Sequence, residues 1–346
     1  MKIFEGFQKG VNLGGWISQF DRYEKEHFDT FITEKDIRNI ASLGFDHVRI
    51  PVDYVLLEEE DGTPKKDGFY YLDLCRGWCE KYGLHMLIDL HECFGYSFDP
   101  LKNIDRKRFF YDEALQARFL SLWTRIAERY GSFSEQIAFE PLNEVVLTEV
   151  ADAWNTVAGN YIRHMRRIAP DSYLVIGGVR YSSVTSVPLL DLPLDDKIVY
   201  NFHCYEPLIF THQGAYWVEN MPEDFRIGYP EDAKIYRDAV EKLGLSKELA
   251  GAIYDENIRQ RGEAFFEDIF APALEKAAKD QVPLYCGEYG VIDRADPLAA
   301  LRWLKDIHAV MSRHGIGRAL WNYKEKDFGF EGESFAGIRD QFMEIL

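Results

Sequence analysis

Short apolar runs alternate with longer amphipathic stretches along the whole chain. The apolar runs are Gly10–Trp16, His47–Val52, His85–His91, Ile137–Asn143, Tyr173–Gly178, Ile198–Tyr205, Pro283–Tyr289 and Gly317–Tyr323. Each is continuous rather than alternating, as in a strand covered on both faces. The stretches between them carry helix punctuation. Thr33–Leu43 opens on a Thr-x-x-Asp capping signal, Leu72–Tyr82 stops at Gly83, Ala114–Tyr130 stops at Gly131, and Trp154–Ile168 stops before Pro170. Glu263–Lys279 and Pro297–Arg313 follow, and Ser183–Leu190 has the weakest helical pattern. Repeated β–α units of this kind predict an α/β fold: a single (β/α)8 TIM barrel over 1–346.

One interval breaks the alternation. Between the sixth strand and its helix the chain runs from Pro207 to Arg261, too long for a structureless loop. It holds helical patterns at Pro230–Leu243 and Lys247–Arg259 and several aromatics. The expectation is a helical insertion at 207–261 over the catalytic face, with Phe210 and Trp217 turned toward a cleft.

Composition narrows the partners. The chain has 346 residues and a formal net charge of −18. Such a field repels phosphate backbones and anionic lipid, so no nucleic acid and no membrane is expected as a partner. No run reaches the ~18 apolar residues of a membrane span. Met1–Gly10 has no apolar leader core, which leaves a cytoplasmic chain or a trimmed secreted form. The five cysteines are an odd set, against a disulfide framework. Cys75 and Cys79 share a helical face but have no second pair at zinc spacing, so they read as buried thiols. Aromatics make up 15% of the chain, which serves a large core and a sugar-stacking cleft equally well.

In this fold the chemistry sits at the carboxyl ends of the strands. Those ends carry Arg49, then Asp89-Leu-His91-Glu92, Asn143-Glu144, His203-Cys-Tyr205, Glu288 and Trp321. Singly, each has a bland explanation: a surface carboxylate, a satisfied core histidine, a core tryptophan. Together they place reactive groups at the same end of many apolar strands, where charged groups need one another as partners. A pair of carboxyl groups, one protonated and one ionised, is what cleavage of a glycosidic bond requires. Arg49 and the Tyr205 hydroxyl would hold Glu288 ionised, and a less cationic setting would keep Glu144 protonated. Asn143 is placed to meet a sugar 2-hydroxyl. A competing reading assembles His91, Glu92, His203 and Glu288 around a divalent ion, but their spacing matches no compact ligand motif. The expectation is therefore no metal and no cofactor.

At these positions the chain resembles glycoside hydrolase family 5, the cellulase family of clan A. That family's pattern is met, in order, by Arg49, His91, Asn143-Glu144, His203, Tyr205, Glu288 and Trp321, and Gly10-Val-Asn-Leu-Gly-Gly-Trp16 resembles its first strand. Lys25–Asp36, Val199–His203 and Leu284–Glu288 look like the compact clostridial type of endoglucanase. The resemblance implies Glu144 as acid/base, Glu288 as nucleophile and Trp321 as the floor beneath the sugar at the cleavage point. It also implies hydrolysis of β-1,4-glucan and mixed-linkage β-1,3-1,4-glucan, as polysaccharide or oligosaccharide, by a monomer. An endo-β-mannanase, an exo-acting β-glucosidase or an inactive carbohydrate-binding protein would use the same scaffold. One position departs: Glu92 stands where relatives commonly have a second histidine.

Overall fold

The computed structural model describes residues 1–246, 251–259 and 261–346. Strands β1 (Gly10–Asn12), β2 (His47–Asp53), β3 (His85–Glu92) and β4 (Ile137–Glu140) are followed by β5 (Leu174–Gly177), β6 (Ile198–Cys204), β7 (Leu284–Tyr289) and β8 (Gly317–Leu320). They form a closed parallel barrel in sequence order, sealed where Gly10 and Val11 of β1 face Ala319 and Leu320 of β8. Three apolar runs continue past their strands. The ladder stops at Glu140 because Pro141 has no N–H to give it. Beyond Asn12 the chain turns out through Gly15, which sits at φ +85°, and beyond Leu320 the backbone of Trp321–Tyr323 leaves the ladder at the carboxyl end of the barrel.

The outer helices are α1 (Glu34–Ser42), α2 (Tyr70–Tyr82), α3 (Glu113–Tyr130) and α4 (Ala151–Met165); α5 (Ala233–Leu243) lies in the segment after β6, and α6 (Gly262–Asp280) and α7 (Pro297–His314) complete the ring. Their ends follow local chemistry. Thr33 and Asp36 form a reciprocal capping box, the Asp112 carboxylate accepts from the N–H groups of Ala114 and Leu115, and Gly83 ends α2 at φ 72°. Gly131 behaves otherwise: it stays right-handed and continues α3 into a 3-10 turn. Among the described residues, no right-handed α-helix lies between β5 and β6. A left-handed turn at Arg180–Ser182 leads into a 3-10 stretch, Val184–Leu189. Pro188 lacks a donor there, and Val184, Thr185 and Val187 are β-branched, so an α-helix is disfavoured.

The barrel interior is layered. At the amino-terminal end, Leu87, Ala138, Val175, Val199, Tyr285 and Ala319 form an apolar cluster plugged by Phe4 and Phe7, whose rings stack at 4.1 Å. Two residues further along the strands the inward positions turn polar, with Asn12, Arg49, Asp89, Glu140 and Asn201, all fully buried. The five cysteines are free and buried, with Cys75 and Cys79 sulfurs 4.0 Å apart.

In the 207–261 segment, Leu208–Thr211 is a short helix, α5 occupies the first sequence-read helical stretch, and Gly251–Tyr254 is a 3-10 turn. The second expected stretch, Lys247–Arg259, lies partly outside the described residues; its described part is not α-helical. Glu206 anchors this segment to the barrel. Its main-chain carbonyl accepts from Trp303 Nε1 at 2.8 Å, and its carboxyl is buried against Gly251 and Ala252. A Cβ on Gly251 would fall 2.0 Å from Glu206 Oε1. Burial raises the Glu206 carboxyl to about 8, well above its unfolded value, so the folded protein holds this proton where the unfolded chain releases it. That contribution to stability is complete below the ordinary carboxylate range and fades as pH rises toward 8. Glu206→Gln should therefore flatten the fall in Tm from acid to neutral pH. A variant whose Tm tracks the parent in parallel at every pH would place the titration elsewhere.

Candidate active site

Arg49 organises the carboxyl end of the barrel. Its Nε and Nη2 donate to Glu140 at 2.7 and 2.9 Å, and Nη2 also donates to Asn143 Oδ1 at 2.8 Å and lies 3.0 Å from Asp89 Oδ2. Its Nη1 donates to Asn12 Oδ1 at 3.0 Å and to Glu288 Oε1 at 2.8 Å. The guanidinium is fully buried and its donors face protein acceptors, so Arg49 orients the groups around it. Burial raises Asp89 and Glu140 to about 7 each, against the pull of the Arg49 charge.

Glu144 and Glu288 converge on this layer. The ladder shifts register at Phe202/His203 and again between Cys286 and Tyr289, and these irregularities turn the Glu288 side chain inward beside Gly287. The Gly287 peptide is held from both sides: Asn201 Oδ1 accepts from its N–H at 2.9 Å, and Asn12 Nδ2 donates to its carbonyl at 2.9 Å. Tyr205 donates its hydroxyl to Glu288 Oε2 at 3.0 Å. His203 Nδ1 lies 2.7 Å from Glu144 Oε1 and 3.7 Å from Glu288 Oε2. One atom each from Glu144, His203 and Glu288 lie within 4.8 Å of one another.

The two carboxyls sit in different fields. Burial pushes Glu144 well above the usual carboxylate range, and the neighbouring Glu288 charge pushes it further. Burial raises Glu288 too, but the Arg49 ion pair and the Tyr205 hydroxyl favour its ionised form. Burial drives His203 well below its usual value, with the Arg49 charge adding to the effect, so the imidazole between the carboxyls is neutral.

The remaining residues frame a surface above this pair. His91 is fixed by Asp89, Nδ1 to Oδ2 at 2.6 Å, and its ring lies parallel to Trp321 at 5.8 Å. Nε2 of His91 and Nε2 of His203 are both buried with no hydrogen-bond partner among the described residues. Trp321 can lie flat because position 14 is glycine: a Cβ there would fall 2.5 Å from the indole. Asn322 clasps the same glycine, accepting from Gly14 N at 2.9 Å and donating to Gly14 O at 2.8 Å.

Other expectations fare differently. Glu92 does not present a free anion: its carboxylate is buried, accepting from Ser97 Oγ and paired with Lys102 Nζ, and close enough to raise the Asp53 carboxyl, already lifted by burial, to about 7. Among the described residues, the set that could gather a metal ion is Glu144, His203 and Glu288; His91 and Glu92, which the competing metal reading also named, are not in it. Trp217 is half-buried at 6.0 Å from His212, whose ring packs on Tyr205 at 4.9 Å. Phe210, expected in the cleft, is instead fully buried against Tyr229. Sequence reasoning missed Asn12, Glu140, Asn201 and Asn322. A signal existed: each is polar inside or just beyond an otherwise apolar run.

Comparison with known proteins gives the family. The family model described as cellulase (glycosyl hydrolase family 5) matches residues 8–327. Endoglucanase C of Acetivibrio thermocellus is 41% identical, with 98% of each chain covered. Cellodextrinase A of Ruminococcus flavefaciens is 40% identical over 99% of this chain and 93% of its own. Among solved structures, endoglucanase Cel5A of Thermotoga maritima superposes with a TM-score of 0.75 at 22% identity, covering 99% of this chain and 97% of its own, which speaks for the fold. A family match over nearly the whole chain, with two full-length relatives at this identity, makes the protein a glycoside hydrolase: it belongs to the cellulase family, glycosyl hydrolase family 5.

Proposed function

We propose that this chain is a retaining endo-β-glucanase, with Glu144 as acid/base and Glu288 as nucleophile. The observation that carries the reading is the placement of the cation. Arg49 pairs with Glu288, while Glu144 meets a neutral imidazole, so two carboxyls with oxygens within 4.8 Å receive opposite roles. That closeness favours retention, for which the carboxyl groups stand about 5–5.5 Å apart; inversion needs roughly 6.5–9.5 Å to admit a water.

In the first step Glu144 gives its proton to the glycosidic oxygen as Glu288 attacks the anomeric carbon, forming a glycosyl ester. In the second, Glu144 takes a proton from water, which displaces Glu288 from that carbon. Because Asn143 Oδ1 is held by Arg49, its amide nitrogen is left to meet the sugar 2-hydroxyl. The His91 and His203 Nε2 atoms suit further hydroxyls, and Trp321 suits the apolar face of the ring. The described part of the 207–261 segment forms one cleft wall, with Trp217 as its stacking surface.

The substrates proposed are β-1,4-glucan and mixed-linkage β-glucan, supported by relatives named endoglucanase and cellodextrinase. Barley β-glucan and carboxymethylcellulose should lose viscosity early, with reducing ends appearing faster than on laminarin or mannan. The first product seen by proton NMR should be the β anomer. An α anomer would overturn retention; preference for mannan, or release of single sugars without loss of viscosity, would overturn the endo-glucanase reading.

A further inference from the structure

The backbone that carries Glu144 lies beyond the end of β4 and keeps one bond to the sheet, from Asn143 N to Leu90 O at 3.3 Å. Two loops hold the rest of it. Tyr96, in the loop after β3, donates its buried hydroxyl to Glu144 O at 2.7 Å and accepts from Val146 N at 2.9 Å. From the opposite side, the turn after β5 donates Ser182 Oγ to Asn143 O at 3.0 Å and Tyr181 N to Val145 O at 3.0 Å. Three successive carbonyls around the glutamate are thus engaged from two directions.

The second of these loops is strained. Arg180, Tyr181 and Ser182 are consecutive non-glycine residues at φ 55°, 56° and 52°. Side-chain-bearing residues avoid this left-handed region, and successive ones rarely share it. Surrounding contacts hold them there: Arg180 Nε donates to Thr148 Oγ1 at 3.1 Å, and Gly177 leaves room that a Cβ, 2.5 Å from Ser182 Oγ, would remove. Such strain persists only where the neighbourhood over-determines it, and it gathers where geometry matters for function.

We propose that Tyr96 and the left-handed turn Arg180–Ser182 form a two-sided brace that positions the Glu144 carboxyl for proton transfer. The proposal rests on the acid/base reading of Glu144. A tilt of the Asn143–Glu144 peptides swings that carboxyl away from the leaving oxygen, and a displacement near 1 Å costs up to about 100-fold in rate. Tyr96 and Ser182 touch neither substrate nor the reacting atoms, so they are positioning residues.

The test compares Tyr96→Phe, Ser182→Ala and Glu144→Ala on two substrates: barley β-glucan, whose leaving group needs a proton, and a dinitrophenyl β-cellobioside, whose leaving group does not. Each brace variant should lower kcat/KM on β-glucan about tenfold and on the aryl glycoside less than about twofold. The alkaline limb of the β-glucan profile should shift in both. Equal losses on the two substrates would show a general structural role and overturn the brace, as would no loss on either. Glu144→Ala separates the two ideas. If it shows the substrate split and the brace variants do not, the brace falls and the acid/base reading stands. If it shows no split, the acid/base reading falls first. Ser182→Ala removes one hydroxyl and keeps the fold's packing, so the comparison survives poor folding of Tyr96→Phe.

Discussion

Glu288→Ala is expected to lower turnover of β-glucan by about 10⁴-fold or more, because no other group can form the glycosyl ester. The loss should be chemical rather than structural. Arg49 keeps its ion pairs to Glu140 and Asp89 when the Glu288 carboxylate is gone, so the buried cation is not stranded. Added azide should enter the space vacated by the carboxylate and attack the anomeric carbon of an activated aryl β-glycoside, while Glu144 protonates the departing oxygen. The product is a glycosyl azide of inverted configuration. A variant that keeps most of its activity on β-glucan would remove Glu288 from the nucleophile's role.

Glu144→Ala should behave differently. Loss of a general acid typically costs 10²–10⁴-fold, and only where the leaving group needs the proton. Activity on polysaccharide should fall by about 10³-fold, while kcat/KM on a dinitrophenyl glycoside stays within about tenfold of the parent. The alkaline limb of the parent's pH profile, set by loss of the Glu144 proton, should vanish from what remains. Azide should now give a glycosyl azide of retained configuration, since it replaces water in the second step and meets the ester on Glu288. Equal losses on both substrates would mean that Glu144 supports the site without donating a proton.

Much of this arrangement was legible in the sequence. Eight apolar runs and their helix signals marked the barrel, and residues just past the strands marked the candidate site. What escaped has physical causes. Asn12, Glu140 and Asn201 line the barrel interior beside Arg49 and Asp89, but a polar residue within an apolar run declares its inward direction only once the sheet closes. Phe210 shows the converse: an aromatic next to a cleft and one beneath it look alike along a chain, and burial decided for the core. Glu92 stood out only as a departure from the family's pattern, because the lysine that pairs with it lies ten positions away in an irregular loop. Tyr96 and Ser182 belong to loops whose hydrogen bonds no periodicity encodes.

The plugged base of the barrel also governs proton traffic. Beneath the Arg49 layer the interior is closed by apolar side chains and the stacked Phe4 and Phe7 rings. That plug leaves the carboxyl end of the barrel as the side from which the candidate site meets water. In the proposed reaction a polysaccharide lies across that end. In the proposed double displacement, a proton given up with the first bond is then restored from the one water admitted for the second. Hydrogen is balanced over each cycle, with that water entering from the carboxyl end once the first product has left it.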